Sequence, residues 1–330
     1  MTQFIVITTI HPKSDGITKF ESRKDWNIVL IGDRKSPPIT SSNNLRFLSI
    51  EEQLTLGYHY IRHCPYNHYS RKNIGYLFAA QHGAGVIYET DDDNLPYETW
   101  GLPDFMCGAA LKTSSRYVNI YRHFSDEHIW PRGFPLDEIT TATDFSVHHQ
   151  PPVPIGIWQG LSDLSPDVDA IFRLTSNKPI KFFPSPPIAL EKGHYSPSNS
   201  QNTFWHKRTF PCLYLPSTVS GRFTDILRGY VAQRLAWELD LRLGITGASV
   251  YQERNVHNLM SDFQDEVACY LHTKRIIDIL DSLRLSADLP AAMLTVYASL
   301  SQEGIVSPEE LPLLEAWLHD MNTFASHGGV

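Results

Sequence analysis

Cysteine is scarce in this chain of 330 residues: Cys64, Cys107, Cys212 and Cys269 stand far apart and form no CxxC pair. That spacing excludes a zinc ribbon or a disulfide framework and fits a reducing compartment. Long apolar runs are missing too, since no stretch approaches the ~18 residues of a membrane span. The opening MTQFIVITTIHPK lacks both a basic region before its short apolar run and a small-residue cleavage site after it. The expectation is a soluble cytoplasmic chain with no membrane span. There is no excess of positive charge either: 28 Lys and Arg against 36 Asp and Glu give a net charge of -8. This argues against a nucleic-acid partner and leaves any anionic ligand to a local cluster. Internal repeats and low-complexity tracts are absent. What remains, 42% hydrophobic, 12% aromatic and 19% charged residues, is the composition of a globular chain. Its length suits one large domain or two lobes sharing a cleft.

The apolar, β-branched run Phe4 to Ile10 predicts a buried strand of a parallel sheet, and Asn27 to Ile31 repeats the pattern before Gly32. Between them Lys13 to Lys24 predicts a loop and short helix. After Asp33 the RKSPP segment is extended, because proline disfavours helix in the residue before it. Arg46 to Ile50 predicts a third strand and Glu51 to Arg62 a helix. Ser70 is a candidate N-cap for a helix with Ile74, Leu77 and Phe78 on one face, ending near Gly83. Gly85 to Thr90 is a fourth strand. Strand and helix alternate, so the expectation is an α/β sheet with ligands at the C-terminal ends of its strands. Residues 94 to 222, rich in Pro, Trp, Tyr and His, predict loops and short strands. Helices return over Thr224 to Leu241 and Leu259 to Leu283. A last helix opens at SPEE, where Ser307 and Glu310 match a capping box and Pro308 suits the first helical position.

The fourth strand runs directly into Asp91, Asp92 and Asp93. Carboxylates clustered at a strand end can converge on one hard cation, and such a cation can hold a diphosphate. The plainer alternative is an acidic turn. Upstream, Arg71, Lys72 and Asn73 fall in the first turn of the helix before that strand, where free N–H groups and the helix dipole favour phosphate. Solvated surface cations are the alternative. Asp33, after the second strand, could accept a hydrogen bond from a ribose or base, or be a turn residue. The first strand-to-helix turn, TTIHPKSDG, lacks GxGxxG, which disfavours a dinucleotide and leaves a mononucleotide diphosphate. His63, His123, His128, His148, His149 and Cys64 have no metal-ligand spacing and read as structural.

Seven stretches in order, DWNIVLIGDRKSP (25 to 37), YSRKNIGYLFAAQHGAGVIYETDDDN (69 to 94), IWPRGFPL (129 to 136), PDVDAIFRLT (166 to 175), SNSQNTFW (198 to 205), TDILRGYVAQRL (224 to 235) and ERNVHNLMSDFQDE (253 to 266), resemble the STELLO-type glycosyltransferases. The likeness runs from the start of the chain to about residue 270. A fainter one joins DDD, RGFP and TDILRG to the reversibly glycosylated polypeptides, the plant UDP-arabinopyranose mutases. Both imply a GT-A fold, a Rossmann-like α/β sheet flanked by helices, with a UDP-sugar donor and Mn2+ or Mg2+ at a DxD motif. On this division residues 1–93 form the nucleotide-sugar-binding half, 94–265 the acceptor-side half of the same catalytic domain, and 266–330 a helical extension. STELLO proteins resemble Golgi membrane proteins with a transmembrane anchor and a further C-terminal region. The expectation here is a chain that starts at its catalytic domain.

Carried onto this sequence, the resemblance puts Asp91 and Asp93 at the DxD positions. Asp93 would ligate the metal directly, Asp91 would lie nearer the ribose or a metal-bound water, and Asp92 would support them. His257 is similar to the late histidine that completes many GT-A metal sites, and Arg254 would clamp the diphosphate. Thr8, Thr9, Asp33, Arg34 and Lys35 join Arg71, Lys72 and Asn73 as candidates on the donor side. Asp225 is the candidate base towards the acceptor, with Asp167 and Asp169 as the rival pair. Trp130, Arg132, Trp158 and Gln159 would pack on and hydrogen-bond an acceptor sugar. The leading expectation is a metal-dependent transferase acting on a carbohydrate or other hydroxyl acceptor. A nucleotide-sugar mutase and a catalytically silent nucleotide-sugar-binding or scaffold protein stay open, as does a homodimer formed through the tail.

Overall fold

A computed structural model of the protein describes residues 1–141, 144–176, 178–253 and 258–327. The chain begins with β1 (Thr2–Thr8), α1 (Asp15–Glu21), β2 (Asn27–Ile31), β3 (Leu45–Leu48), α2 (Ile50–Thr55), α3 (Lys72–Gln81) and β4 (Ala84–Thr90). β1 pairs in parallel with β2 on one side and β4 on the other, and β3 extends the set beyond β2. Side chains alternate between the two faces of β1. Phe4 and Val6 join one core with Ile74 and Leu77 of α3, while Ile5 and Ile7 join the other with Ile17 and Phe20 of α1. Burial on both faces explains why these strands read as continuous apolar runs.

Two helices depart from their sequence patterns. The segment expected to be helical from Glu51 to Arg62 breaks into α2 and a 3-10 turn at Tyr60–Arg62, with Gly57 between them at φ +75°, where a helix cannot continue. Ser49 and Glu52 close a capping box on α2. Ahead of α3 the side-chain cap is His68, not Ser70: its ring accepts from Ser70 N, opening a 3-10 turn at Tyr69–Arg71 that leads into the helix.

Residues 94 to 222 hold more regular structure than their composition suggests. They contain β5 (Asn94–Pro96), β6 (Met106–Thr113), the 19-residue β7 (Phe145–Asp163), α4 (Ala170–Thr175), β8 (Ile188–Leu190) and β9 (Asn202–His206). After them come α5 (Thr224–Glu238) and β10 (Arg242–Gln252). One ten-stranded sheet runs β3-β2-β1-β4-β9-β7-β6-β8-β10-β5, with a further β7–β10 pairing. β9 lies antiparallel to both β4 and β7, joining the parallel opening to the mixed remainder.

The tail forms α6 (Leu259–Ser282), α7 (Leu289–Gln302) and α8 (Glu310–His327), which pack on the face that also carries α3 and α5. α6 runs unbroken through residues 265 and 266. The capping box expected at Ser307 and Glu310 does not form. Glu310 is fully buried, and its carboxylate instead accepts from Ser217 N, Thr218 N and the Tyr214 hydroxyl. Among the described residues no helix is long and apolar enough to cross a membrane.

Candidate functional site

The strand order β2-β1-β4 sends the chain to opposite sides of β1, so a crevice opens past the C-terminal ends of these strands. A cleft of about 490 Å³ lies there. Its lining includes Thr8, Thr9, Gly32, Asp33 and Lys35 from the ends of β1 and β2, Asp91, Asp92 and Asp93 after β4, and Arg132, Asp167, Ser200, Arg222 and Asp225 from later in the chain. Two close approaches hold the acidic turn against α1. Ser14 caps the helix through Ile17 N and donates its hydroxyl to Asp92 O, and a Cβ on Gly16 would meet Asn94 O at 2.2 Å.

Asp91 accepts from the Tyr69 hydroxyl at 2.9 Å, and the Lys72 ammonium stands 3.6 Å away. Burial pushes its carboxyl up to about 7 against the pull of Lys72, and Asp93 and Asp92 push the same way. Asp92 turns aside to accept from the Thr9 hydroxyl, and burial raises it too. Asp93 accepts from Gln252 Nε2 at 2.9 Å. All three carboxylates line the cleft, each with one oxygen in these side-chain hydrogen bonds. Any ligand from His257, and any clamp from Arg254, lies outside the described residues.

The cations expected to grip phosphate are mostly committed elsewhere. Lys72 is fully buried and donates to the Tyr69 hydroxyl, to Thr90 O at 2.8 Å and to Ser200 O; it does not line the cleft. Arg71 lines it, but its guanidinium bonds Gln53 and Pro65 O and lies over the Tyr66 ring, with Nε buried and unpartnered. Asn73 is structural, tying α3 to Leu215 N and O and to Tyr60. Arg34 is exposed over Tyr66, outside the cleft wall, whereas Lys35 is part of it.

Across the cleft, Arg132 clamps two carboxylates. Nε and Nη2 donate to Asp167, each at 2.8 Å, while Nη1 and Nη2 donate to Asp225, each at 3.0 Å. Ser200 adds its N–H and its hydroxyl to Asp225. Burial opposes ionisation of Asp225, but Arg132, with Arg228 and Ser200, outweighs it and holds the carboxyl down at about 2.

The remaining acceptor-side candidates do not line the cleft. Asp169 is the N-cap of α4, accepting from Phe172 N and Trp130 Nε1, and burial pushes it up to about 6. Trp130 packs in one core and Trp158 in the other, with the Trp158 indole donating to Asp104 O. Gln159 is buried among Asn199, Thr203 and Asn202.

Sequence reasoning passed over Tyr69 and Ser200. The Tyr69 hydroxyl touches Asp91, the Lys72 ammonium and the Ser200 hydroxyl, and the Ser200 hydroxyl touches Asp225, so the two link the walls of the cleft. Both lie within stretches that carry the family resemblance, YSRKN and SNSQN. Beneath them Glu89 receives both Nη atoms of Arg228, at 2.9 and 2.7 Å, and the Trp205 indole at 2.8 Å, with the Tyr76 hydroxyl closing the set. This buried network ties β4, which ends one residue before Asp91, to α5, whose first turn carries Asp225.

A mixed sheet flanked by helices, with an acidic strand end on its crevice, is consistent with a glycosyltransferase fold. Residues 222–327 match the family model of the STELLO glycosyltransferases. Two Arabidopsis thaliana proteins, described as "Probable glycosyltransferase STELLO1" and "Probable glycosyltransferase STELLO2", are 30% and 31% identical to the chain over 97% and 96% of its length. The chain is thus similar to the STELLO-type glycosyltransferases, through the family model over its last third and through these relatives along nearly its whole length. It spans 44% of the length of each of these relatives.

Proposed function

We propose that this chain transfers a sugar from a nucleotide-sugar donor, a UDP-sugar in the simplest reading, to a hydroxyl acceptor with the help of Mn2+ or Mg2+. The observation that carries this reading is the set of carboxylates where β4 ends, on the crevice beside β1. Asp91 is raised to about 7 by burial and by its like-charged neighbours, so a cation there would relieve that cost, and oxygen donors suit a hard divalent ion. When bound, such an ion would neutralise charge on the departing nucleoside diphosphate. Asp91 and Asp93 would hold it, with Tyr69 and Lys72 fixing the Asp91 carboxylate. Thr8, Thr9, Asp33 and Lys35 would face the nucleoside and its phosphates.

On the acceptor side, a carboxylate held at about 2 is a poor proton sink at neutral pH, so Asp225 is assigned to orienting Arg132 and the acceptor hydroxyl. Asp167, the rival candidate base, lines the same cleft and is held by the same guanidinium through both oxygens. Asp93→Ala should lower turnover by about 100-fold or more, as loss of a preorganised electrostatic partner does. Melting curves with a panel of nucleotide sugars, with and without manganese, identify the donor by its stabilisation of the native state. Product analysis then separates three outcomes: transfer or hydrolysis supports a transferase, a ring isomer from donor alone supports a mutase, and binding without turnover supports a silent binding protein. Full activity of Asp93→Ala in the presence of chelator would remove the aspartates from the chemistry.

A further inference from the structure

Outside the cleft, His59, His319 and Asp320 bring one ligand atom each within 4.8 Å of one another. None of the three lines the cleft. We propose that they form a separate metal site for a borderline first-row ion such as zinc, joining the C-terminal helix α8 to the 3-10 turn at Tyr60–Arg62.

The chemistry of the donors fits. Two imidazoles and a carboxylate are a ligand set for zinc, copper or nickel rather than for magnesium or manganese. The two histidines are exposed and their ring centroids lie 4.1 Å apart at 45°, and among the described residues neither ring has a hydrogen-bond partner. Tetrahedral zinc with Zn–N near 2.0–2.1 Å needs ligand atoms about 3.4 Å apart, a contraction within reach of exposed side chains. Asp320 is 4% exposed and already oriented: its oxygens accept from His59 N at 3.0 Å and Tyr60 N at 2.9 Å. Each carboxylate oxygen keeps a further lone pair, and ligating carboxylates are commonly held by such hydrogen bonds. Three protein ligands leave a fourth position for water.

The placement gives the ion a mechanical consequence. His59 stands at the start of a segment that leads to His68, Tyr69 and Arg71 on the cleft wall, while His319 and Asp320 are adjacent on α8. Bridging them cross-links positions 59 and 319 and holds the tail against the donor-side wall.

The test is titration of the full, tag-free, chelator-treated chain with zinc chloride by calorimetry, and with cobalt chloride by visible absorption. His59→Ala and His319→Ala serve as variants, since the backbone contacts of Asp320 need neither ring. The expected result is saturable zinc binding that each variant weakens at least tenfold, a cobalt d–d band lost in both, and no competition from excess manganese. Circular dichroism checks that the variants keep their fold. Zinc affinity and cobalt spectrum unchanged in both variants, or no saturable binding by the intact chain, would overturn the proposal and leave Asp320 as a cap on the 3-10 turn.

Discussion

Asp225 shows how a neighbour can override burial at a single residue. Loss of solvent would raise its carboxyl, yet Arg132 at 3.0 Å, reinforced by Arg228 and Ser200, brings it down to about 2. With an unfolded value near 3.9, the shift corresponds to about 2–3 kcal/mol. The folded value is depressed, so the contribution is fully present above about pH 4 and is lost as pH falls towards 2. Acid denaturation monitored by tryptophan fluorescence should therefore be less steep over that window in Asp225→Asn than in the parent. Equal slopes would mean that Arg132 is not the dominant partner. Asp91, a few ångströms from Lys72, goes the other way because burial and two neighbouring aspartates outweigh one cation.

At the scale of elements, the site depends on how β4 and α5 are joined. Glu89 and Arg228 are fully buried and meet through two hydrogen bonds, with Trp205 and Tyr76 satisfying further lone pairs of the carboxylate. Removing one partner of such a pair leaves an uncompensated charge in the core and costs about 3–5 kcal/mol. Glu89→Gln should lower the urea midpoint accordingly with an unchanged slope, and a loss below about 1 kcal/mol would show that water reaches Arg228. The contact between α1 and the acidic turn is tighter still. Gly16→Ala sets a Cβ against Asn94 O, so it should destabilise the chain by about 1–3 kcal/mol, as overpacking does, and displace the carboxylates used by the proposed donor site.

Across the whole molecule, the tail is integrated with the sheet-bearing part of the chain. Glu310, at the start of α8, satisfies two backbone N–H groups and a tyrosine in the 214–218 segment that leads into α5. Glu310→Ala strips those buried donors of their acceptor, at about 1–3 kcal/mol for each group left unpaired. The expected outcome is a lowered melting temperature with a single cooperative transition. A first transition confined to the tail would show instead that α6, α7 and α8 unfold separately.

How much of this was legible beforehand follows from the range of the forces involved. β1, β2 and β4, α3, α5 and α6, and the acidic end of β4 could be read from residue order, because burial of adjacent apolar residues and turn chemistry are local. The 19-residue β7 was not legible, since its first half is partly exposed and its prolines mask the period. Nor was α7. The role of Glu310 was misread as a local cap because the donors it serves lie about 90 residues away in sequence. Likewise, nothing in the order of residues reveals that Lys72 is spent on Thr90 and Tyr69, that Trp158 is enclosed by the sheet, or that one guanidinium bridges Asp167 and Asp225. The sequence by itself determined the resemblance to the STELLO-type proteins, the parallel opening of the sheet and the aspartates at its edge. The tertiary structure alone decided which charges remain available to a ligand, because the energy of a buried charge depends on partners that only folding brings within hydrogen-bonding distance.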